Sequence, residues 1–442
     1  MNKQEETVKT ALHMCLRVIK MYDWLLNLYV LDFFVDNHWM KLPMSWQQCF
    51  RDMDPKDLGD IITGEKNKYI LPLSFLALLK AVTSLNLPRT GYKYKCSIIN
   101  QELQDNIGHP KLKNLYVKHV KLKKRHEINM MSDFVYSTAL KSQCNAVLDF
   151  GSGLGHLVRI LGYKYNLSAV GIEMQTQLTE EARKLDLEFE YTAKKHLTEE
   201  CMSNLRRPTH FNVTLTSLDQ LHKISLPNTV NNYGLIGLHP CGDLGPLLIK
   251  HFVKSDKVKF ICVVGCCYMK ISCNNDPCGY PMSRYVRQLD NSLTFVSREI
   301  ACHAIETYCQ KLCRGDYRDL KVHAYRAALE KILVGMDPEF KHMPIRSVKH
   351  TNDMSFESYC EAALQHSPLK PLQTKNVEEE LKQWKRVVVL YTLRLMMAPL
   401  VETVILLDRL LFILEHGIPC AIYPVFDPKI SPRNHIIVGI KS

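Results

Sequence analysis

The chain has 442 residues, 46% of them hydrophobic and 23% charged, which excludes a disordered tail or a fibrous repeat and suits one large domain or two ordinary ones. A net charge of +12 favours an anionic partner. Sixteen cysteines behind a polar start, Met1-Asn-Lys-Gln-Glu-Glu, predict free thiols in a reducing intracellular compartment, cytoplasmic or nuclear, with no secretory leader.

Apolar side chains recur at helical spacing over residues 6–36, through Leu16, Ile19, Trp24, Leu25, Tyr29 and Phe33, and predict a helix pair or one long helix. Leu42-Pro-Met-Ser-Trp46 is a break and a restart, with Ser45 as the expected N-cap, and 71–85 is helical again. Residues 1–110 thus read as a helical N-terminal module. From Lys111 to His126 the chain carries no acid. Within that run Lys121, Lys123, Lys124 and Arg125 are the candidate phosphate contacts of an RNA partner, and a solvated helix face is the alternative.

After Glu127 the pattern changes. Residues 127–141 read as a helix. Runs at 146–150, 169–172, 211–215, 233–238 and 258–264 read as strands, alternating with helices at about 155–163, 175–184 and 245–253. Such alternation predicts an α/β fold with a parallel, doubly wound sheet. Residues 300–415 read as a helical insertion. Within 387–411, Arg394, Glu402, Asp408 and Arg409 argue for buried helices over a membrane span, so no membrane partner is expected. Runs at 420–426 and 435–440 then read as a closing β-hairpin.

The most specific segment is Val147-Leu-Asp149-Phe-Gly151-Ser-Gly153-Leu-Gly155-His156. Alternating glycines where a strand hands over to a helix let the backbone turn sharply and approach a ligand. A dinucleotide fingerprint needs a glycine where this chain has His156. An acid ahead of the loop would repel a pyrophosphate, but it suits the ammonium of S-adenosylmethionine. Glu173 closes the next strand, at the spacing where a carboxylate accepts from ribose hydroxyls. A glycine-rich turn without a ligand is the bland alternative.

These features resemble class I S-adenosylmethionine-dependent methyltransferases. More narrowly the chain resembles the methyltransferase-like protein 25 family, which includes proteins labelled ribosomal RNA adenine dimethylase domain-containing. The matching segments are Leu42-Pro-Met-Ser-Trp46, Lys123-Lys-Arg-His-Glu-Ile128, the glycine loop, Leu238-His-Pro-Cys-Gly-Asp-Leu244, Cys266-Cys-Tyr-Met-Lys-Ile-Ser272 and Phe426-Asp-Pro with Ser431-Pro-Arg-Asn434. The resemblance implies a Rossmann-like seven-stranded sheet closed by a C-terminal hairpin, in a methyltransferase domain spanning 111–442. It implies S-adenosylmethionine contacts at Asp149, Gly151, Ser152, Gly153, Gly155 and Glu173, with Thr216 and Ser217 flanking the adenine. Adenine-N6 dimethylases carry Asn or Asp-Pro-Pro-Tyr or Phe after the fourth strand; this chain carries His239-Pro-Cys-Gly-Asp243 instead, without the amine acceptor or the aromatic.

In this fold the ends of the fourth and fifth strands face the transferred methyl. His239 is the expected general base, or else a histidine fixing its loop. Asp243 orients His239, binds substrate, or caps the helix that follows. Tyr268 stacks on a planar acceptor, or packs. Lys123, Lys124, His126 and Glu127 border the pocket and are candidates for binding substrate or the cofactor carboxylate. Nine cysteines lie between Cys241 and Cys313, but no C-x-x-C pair occurs, so free buried thiols are expected and no metal. The expected activity is methyl transfer to RNA, with protein as the second acceptor class and a non-catalytic scaffold or sensor as the rival function.

Overall fold

A computed structural model describes residues 3–90, 109–116, 118, 120–214, 232–273, 279–348, 354–367, 369 and 377–441. The chain divides into two compact units. One comprises Met1–Leu12, Pro88–Ser292 and Val404–Ser442; the other comprises His13–Leu87 and Leu293–Thr403. The helical segments 13–87 and 293–403 therefore share one unit, whereas the sequence reading separates them into a module and an insertion.

The first unit holds a seven-stranded sheet: β1 (Ala146–Phe150), β2 (Ser168–Glu173), β3 (Thr209–Asn212), β4 (Tyr233–Cys241), β5 (Val258–Cys266), β6 (Cys420–Pro424) and β7 (His435–Ile440). The order is β3-β2-β1-β4-β5-β7-β6. The first five strands run parallel, and β7 enters antiparallel between β5 and β6. Every residue of β1 is buried, as are the six consecutive residues of β5 from Phe260 to Gly265, which explains why these strands read as continuous apolar runs rather than alternating ones. Helices Leu122–Lys141, His156–Tyr163, Thr176–Ala193 and Leu244–Lys254 accompany the sheet. The topological switch between β1 and β4 opens a crevice at the carboxyl ends of these strands, where ligands bind in such sheets.

Two local expectations are corrected. β3 starts at Thr209 and ends at Asn212, two residues ahead of the expected start, because Val170 to Glu173 of β2 pair with Thr209 to Asn212. Ser45 is not a cap: the helix Met44–Phe50 already contains it, and Pro43 occupies the cap position without a side-chain bond. Residues 215–217, including Thr216 and Ser217, lie outside the described residues.

The second unit is helical. Trp46, Phe50 and Phe75 meet edge to face at 5.1–6.0 Å between ring centroids. Buried Arg394 donates through Nε and Nη2 to the Leu26 carbonyl at 3.2 and 3.1 Å. Among the described residues no helix is long and apolar enough to cross a membrane.

Candidate functional site

The glycine loop sits between β1 and the helix His156–Tyr163. Gly151, Gly153 and Gly155 all have positive φ (75°, 55° and 68°), the left-handed region where a Cβ is penalised. Space alone also forbids a side chain at Gly155, where a Cβ would lie 2.4 Å from His210 Cε1. That imidazole is immobilised from below. Its Nε2 bonds Asp186 Oδ2 at 2.7 Å, and Asp186 Oδ1 accepts from Arg159 Nε at 2.6 Å. Arg159 Nη2 in turn donates to the Leu154 carbonyl within the loop at 3.2 Å. Arg159, Asp186 and His210 are all buried. Sequence reasoning missed this support, since the three residues come from three separate elements. His156 sits beside it; burial, then the Arg159 charge, push its imidazole down to about 4, so it packs as a neutral ring where a dinucleotide loop needs glycine.

Asp149 is fully enclosed at the end of β1, and its Oδ1 has no hydrogen-bond partner. Burial pushes this carboxyl up to about 7, against the pull of the Lys124 charge. Glu173 is differently placed. Its Oε2 accepts from the Gly153 N–H and its Oε1 from the Gln175 N–H, both at 3.0 Å. A carboxylate offers about four lone-pair directions, so two remain for a ligand diol. Asp149, Ser152 and Gly153 line a pocket of about 410 Å³ with Lys121 and Lys124. Glu173, Met174, His239, Cys241 and Asp243 line an adjoining cleft of about 910 Å³, and Gly151 borders both. These volumes span the range of small-molecule sites.

At the far wall, β4 carries a bulge. Its ladder with β5 runs to Leu238↔Val264 and resumes at Cys241↔Cys266, so two residues of β4 oppose one of β5. Such bulges re-aim side chains. His239 there takes φ of 68°, and its Nε2 reaches Glu127 Oε1 at 2.8 Å. The same Glu127 oxygen accepts from Ser431 Oγ at 2.6 Å, while Asp427 N donates to His126 Nε2 at 3.0 Å. Burial works to raise the Glu127 carboxyl, but the bonds and charge of His239, with Ser431, outweigh it and hold it at about 2. An ionised carboxylate only accepts, so the Nε2 proton points to Glu127. Nδ1 is buried, and no hydrogen bond reaches it.

Three expected roles change. Glu127, not Asp243, orients His239. Asp243 Oδ1 accepts from the Ser272 N–H at 2.9 Å and makes no cap bond to the helix Leu244–Lys254, so it ties down the loop after β5 while lining the cleft. Tyr268 is 1% exposed and lies between the guanidiniums of Arg409 and Arg433, 5.8 and 5.7 Å from its ring centre; it packs there instead of facing an acceptor. Lys121, Lys123, Lys124 and Arg125 are exposed, and Lys121 and Lys124 line the smaller pocket. Lys123 stands 3.8 Å from Glu127, and Arg125 Nε donates to the Val120 carbonyl at 2.7 Å.

The cysteines also depart from expectation. Cys241 is exposed, Cys266 and Cys267 are half-buried, and their three sulfurs converge. The bond with Cys266, then that with Cys267, draws the Cys241 thiol down to about 5 despite its burial, while Cys266 is raised.

A family model described as a methyltransferase domain matches residues 123–274, the stretch that carries the glycine loop, Glu173, His239 and the cysteine trio. The chain is 28% identical over 250 residues to probable methyltransferase-like protein 25 of Mus musculus, covering 51% of this chain and 40% of that protein. For the Homo sapiens protein of the same name the identity is 27% over 265 residues, covering 56% and 43%. The chain therefore spans about two fifths of the length of these relatives. Among solved structures, a magnesium protoporphyrin IX methyltransferase from Synechocystis PCC 6803 with bound SAM is 14% identical, at a TM-score of 0.22 over 39% of this chain and 77% of that one. Residues 123–274 thus carry a methyltransferase domain, and the chain is similar to the methyltransferase-like protein 25 relatives over about half of its length.

Proposed function

We propose that the chain is an S-adenosylmethionine-dependent methyltransferase acting on RNA. The observation that carries the cofactor is Asp149: a fully buried carboxylate with an unpartnered oxygen, beside a loop whose middle glycine has open space above it. An uncompensated buried acid is costly, and a ligand ammonium relieves it. In this reading Asp149 takes the ammonium, Lys124 the carboxylate, the free lone pairs of Glu173 the ribose diol, and the loop N–H groups the methionine backbone. Gly151, Ser152 and Gly155 shape that passage. When bound, the cofactor supplies an electrophilic methyl for in-line displacement, a reaction in which positioning is worth roughly 7–11 kcal/mol.

His239 is the base of this mechanism. In its neutral form the imidazole takes the acceptor proton, while Glu127 stabilises the imidazolium that results. The exposed run Lys121, Lys123, Lys124 and Arg125 at the pocket mouth supports a polyanionic acceptor, as does the net charge of +12.

Calorimetry with S-adenosylmethionine and with NAD tests the ligand, and absence of S-adenosylmethionine binding ends the cofactor claim. For the acceptor, lysate from cells lacking the protein is incubated with enzyme and methyl-labelled cofactor, then digested with nuclease or protease. Label that nuclease releases supports RNA. Protease-released label replaces RNA with protein as the acceptor, and binding without any transfer favours a sensor.

A further inference from the structure

The bulge at His239-Pro240 brings Cys241 opposite Cys266 in the β4–β5 register, and Cys267 follows directly. The sulfurs lie 3.2 Å (Cys241 to Cys267), 3.2 Å (Cys266 to Cys267) and 3.8 Å (Cys241 to Cys266) apart. A tetrahedral zinc with bonds of about 2.3 Å to sulfur separates its thiolates by about 3.8 Å. One edge of this triangle already has that length, and side-chain rotation of a few tenths of an ångström at each sulfur opens the other two.

We propose that Cys241, Cys266 and Cys267 bind one zinc ion as a three-thiolate site whose fourth position opens onto the cleft. Three further observations support it. Cys241 lines the cleft, so the open side faces the space where an acceptor would lie. Cys267 holds a left-handed backbone (φ 49°, ψ 50°), a conformation disfavoured for a residue with a side chain, which here accompanies the placement of its sulfur 3.2 Å from both partners. Zinc with three thiolates carries a net negative charge, and the Lys270 ammonium acts on both Cys241 and Cys267. Among the described residues no fourth histidine, cysteine or carboxylate atom joins these three. Three protein ligands and one exchangeable position characterise catalytic zinc; structural sites are closed by four. Binding releases the remaining thiol protons to solvent. The site does not depend on which acceptor is methylated, nor on the cofactor.

The test measures metal on the full-length chain, purified with zinc in the medium and without chelator. Mass spectrometry of the metal is expected to give one zinc per chain. Exchange for cobalt(II) is expected to give a thiolate charge-transfer band with the intensity of three sulfurs. The triple variant C241S/C266S/C267S loses both signals, and Cys201→Ser keeps them. If the triple variant does not fold, the wild-type cobalt spectrum decides the sulfur count. Absence of retained zinc and of the cobalt band overturns the site, as does equal zinc in a folded triple variant. A disulfide among the three, recovered from thiol-blocked protein, overturns it in favour of a redox pair.

Discussion

Gly155→Ala and Gly153→Ala separate the two jobs of the glycine loop. Both positions have positive φ, so an alanine at either costs about 1–2 kcal/mol in backbone strain. The space around them differs. At Gly153 a Cβ meets nothing within 4 Å, whereas at Gly155 it falls 2.4 Å from His210 Cε1 and 3.3 Å from both ring nitrogens. His210 cannot retreat cheaply, because its bond to Asp186 belongs to a buried network that also holds Arg159 and the Leu154 carbonyl. Overpacking of this kind adds about 1–3 kcal/mol, for a total of roughly 2–5 kcal/mol at Gly155. For a unit of this size each kcal/mol lowers the melting temperature by about 2–4 °C, so Gly155→Ala is expected to melt roughly 4–20 °C below wild type. Gly153→Ala, with strain alone, is expected to melt roughly 2–8 °C below wild type, yet to lose most S-adenosylmethionine affinity, since its Cβ projects into the ligand's space. Thermal melts with and without cofactor, and calorimetric titration of both variants, measure the contrast. A Gly155→Ala protein that melts with Gly153→Ala refutes the assignment of His210 and its network as the floor of the loop.

Because burial raises the Asp149 carboxyl to about 7, the ligand-free fold favours its protonated form; that contribution is complete at low pH and is lost as pH rises through about 7. Cofactor binding requires the ionised form, so calorimetric affinity is expected to rise from pH 6 to pH 8, and Asp149→Asn to bind weakly with a flat profile; a steep profile in that variant sinks the assignment. Glu127 has the opposite sign. Held at about 2, below the ordinary carboxylate value, it contributes up to about 3 kcal/mol that is present above about pH 4.5 and lost as pH falls toward 2. Acid denaturation of Glu127→Gln should therefore show a shallower limb than wild type, and coincident curves refute the reading. With an acceptor in hand, His239→Ala is expected to lower kcat by about 10²–10⁴ with cofactor affinity unchanged. Unchanged turnover removes the base.

What the sequence disclosed, and what it hid, divides along a physical line. The gathering of Asp149, the three glycines and Glu173 at one crevice was legible because each lies at or just after the end of a strand that announces itself by an apolar run. The hairpin at the C-terminus was legible for the same reason. Glu127 as the partner of His239 was not, since 112 residues separate them and only the docking of Ser431 and Asp427 on Glu127 and His126 brings the three motifs together. For Asp243 and Tyr268 residue type left alternatives open, and burial and neighbours narrow them: Asp243 takes the Ser272 N–H instead of orienting His239 or capping the helix, and Tyr268 packs near two arginines. The cysteine trio is the instructive case. A search for C-x-x-C looks for ligands that one turn can gather, whereas Cys241 and Cys266-Cys267 are gathered by the register of adjacent parallel strands. The usable signal was present in the chain: both strands end in cysteine at their carboxyl ends, and neighbouring parallel strands in a doubly wound sheet finish at the same edge. Matching cysteines across strand ends, instead of along one segment, places these three thiols beside His239 from the sequence alone.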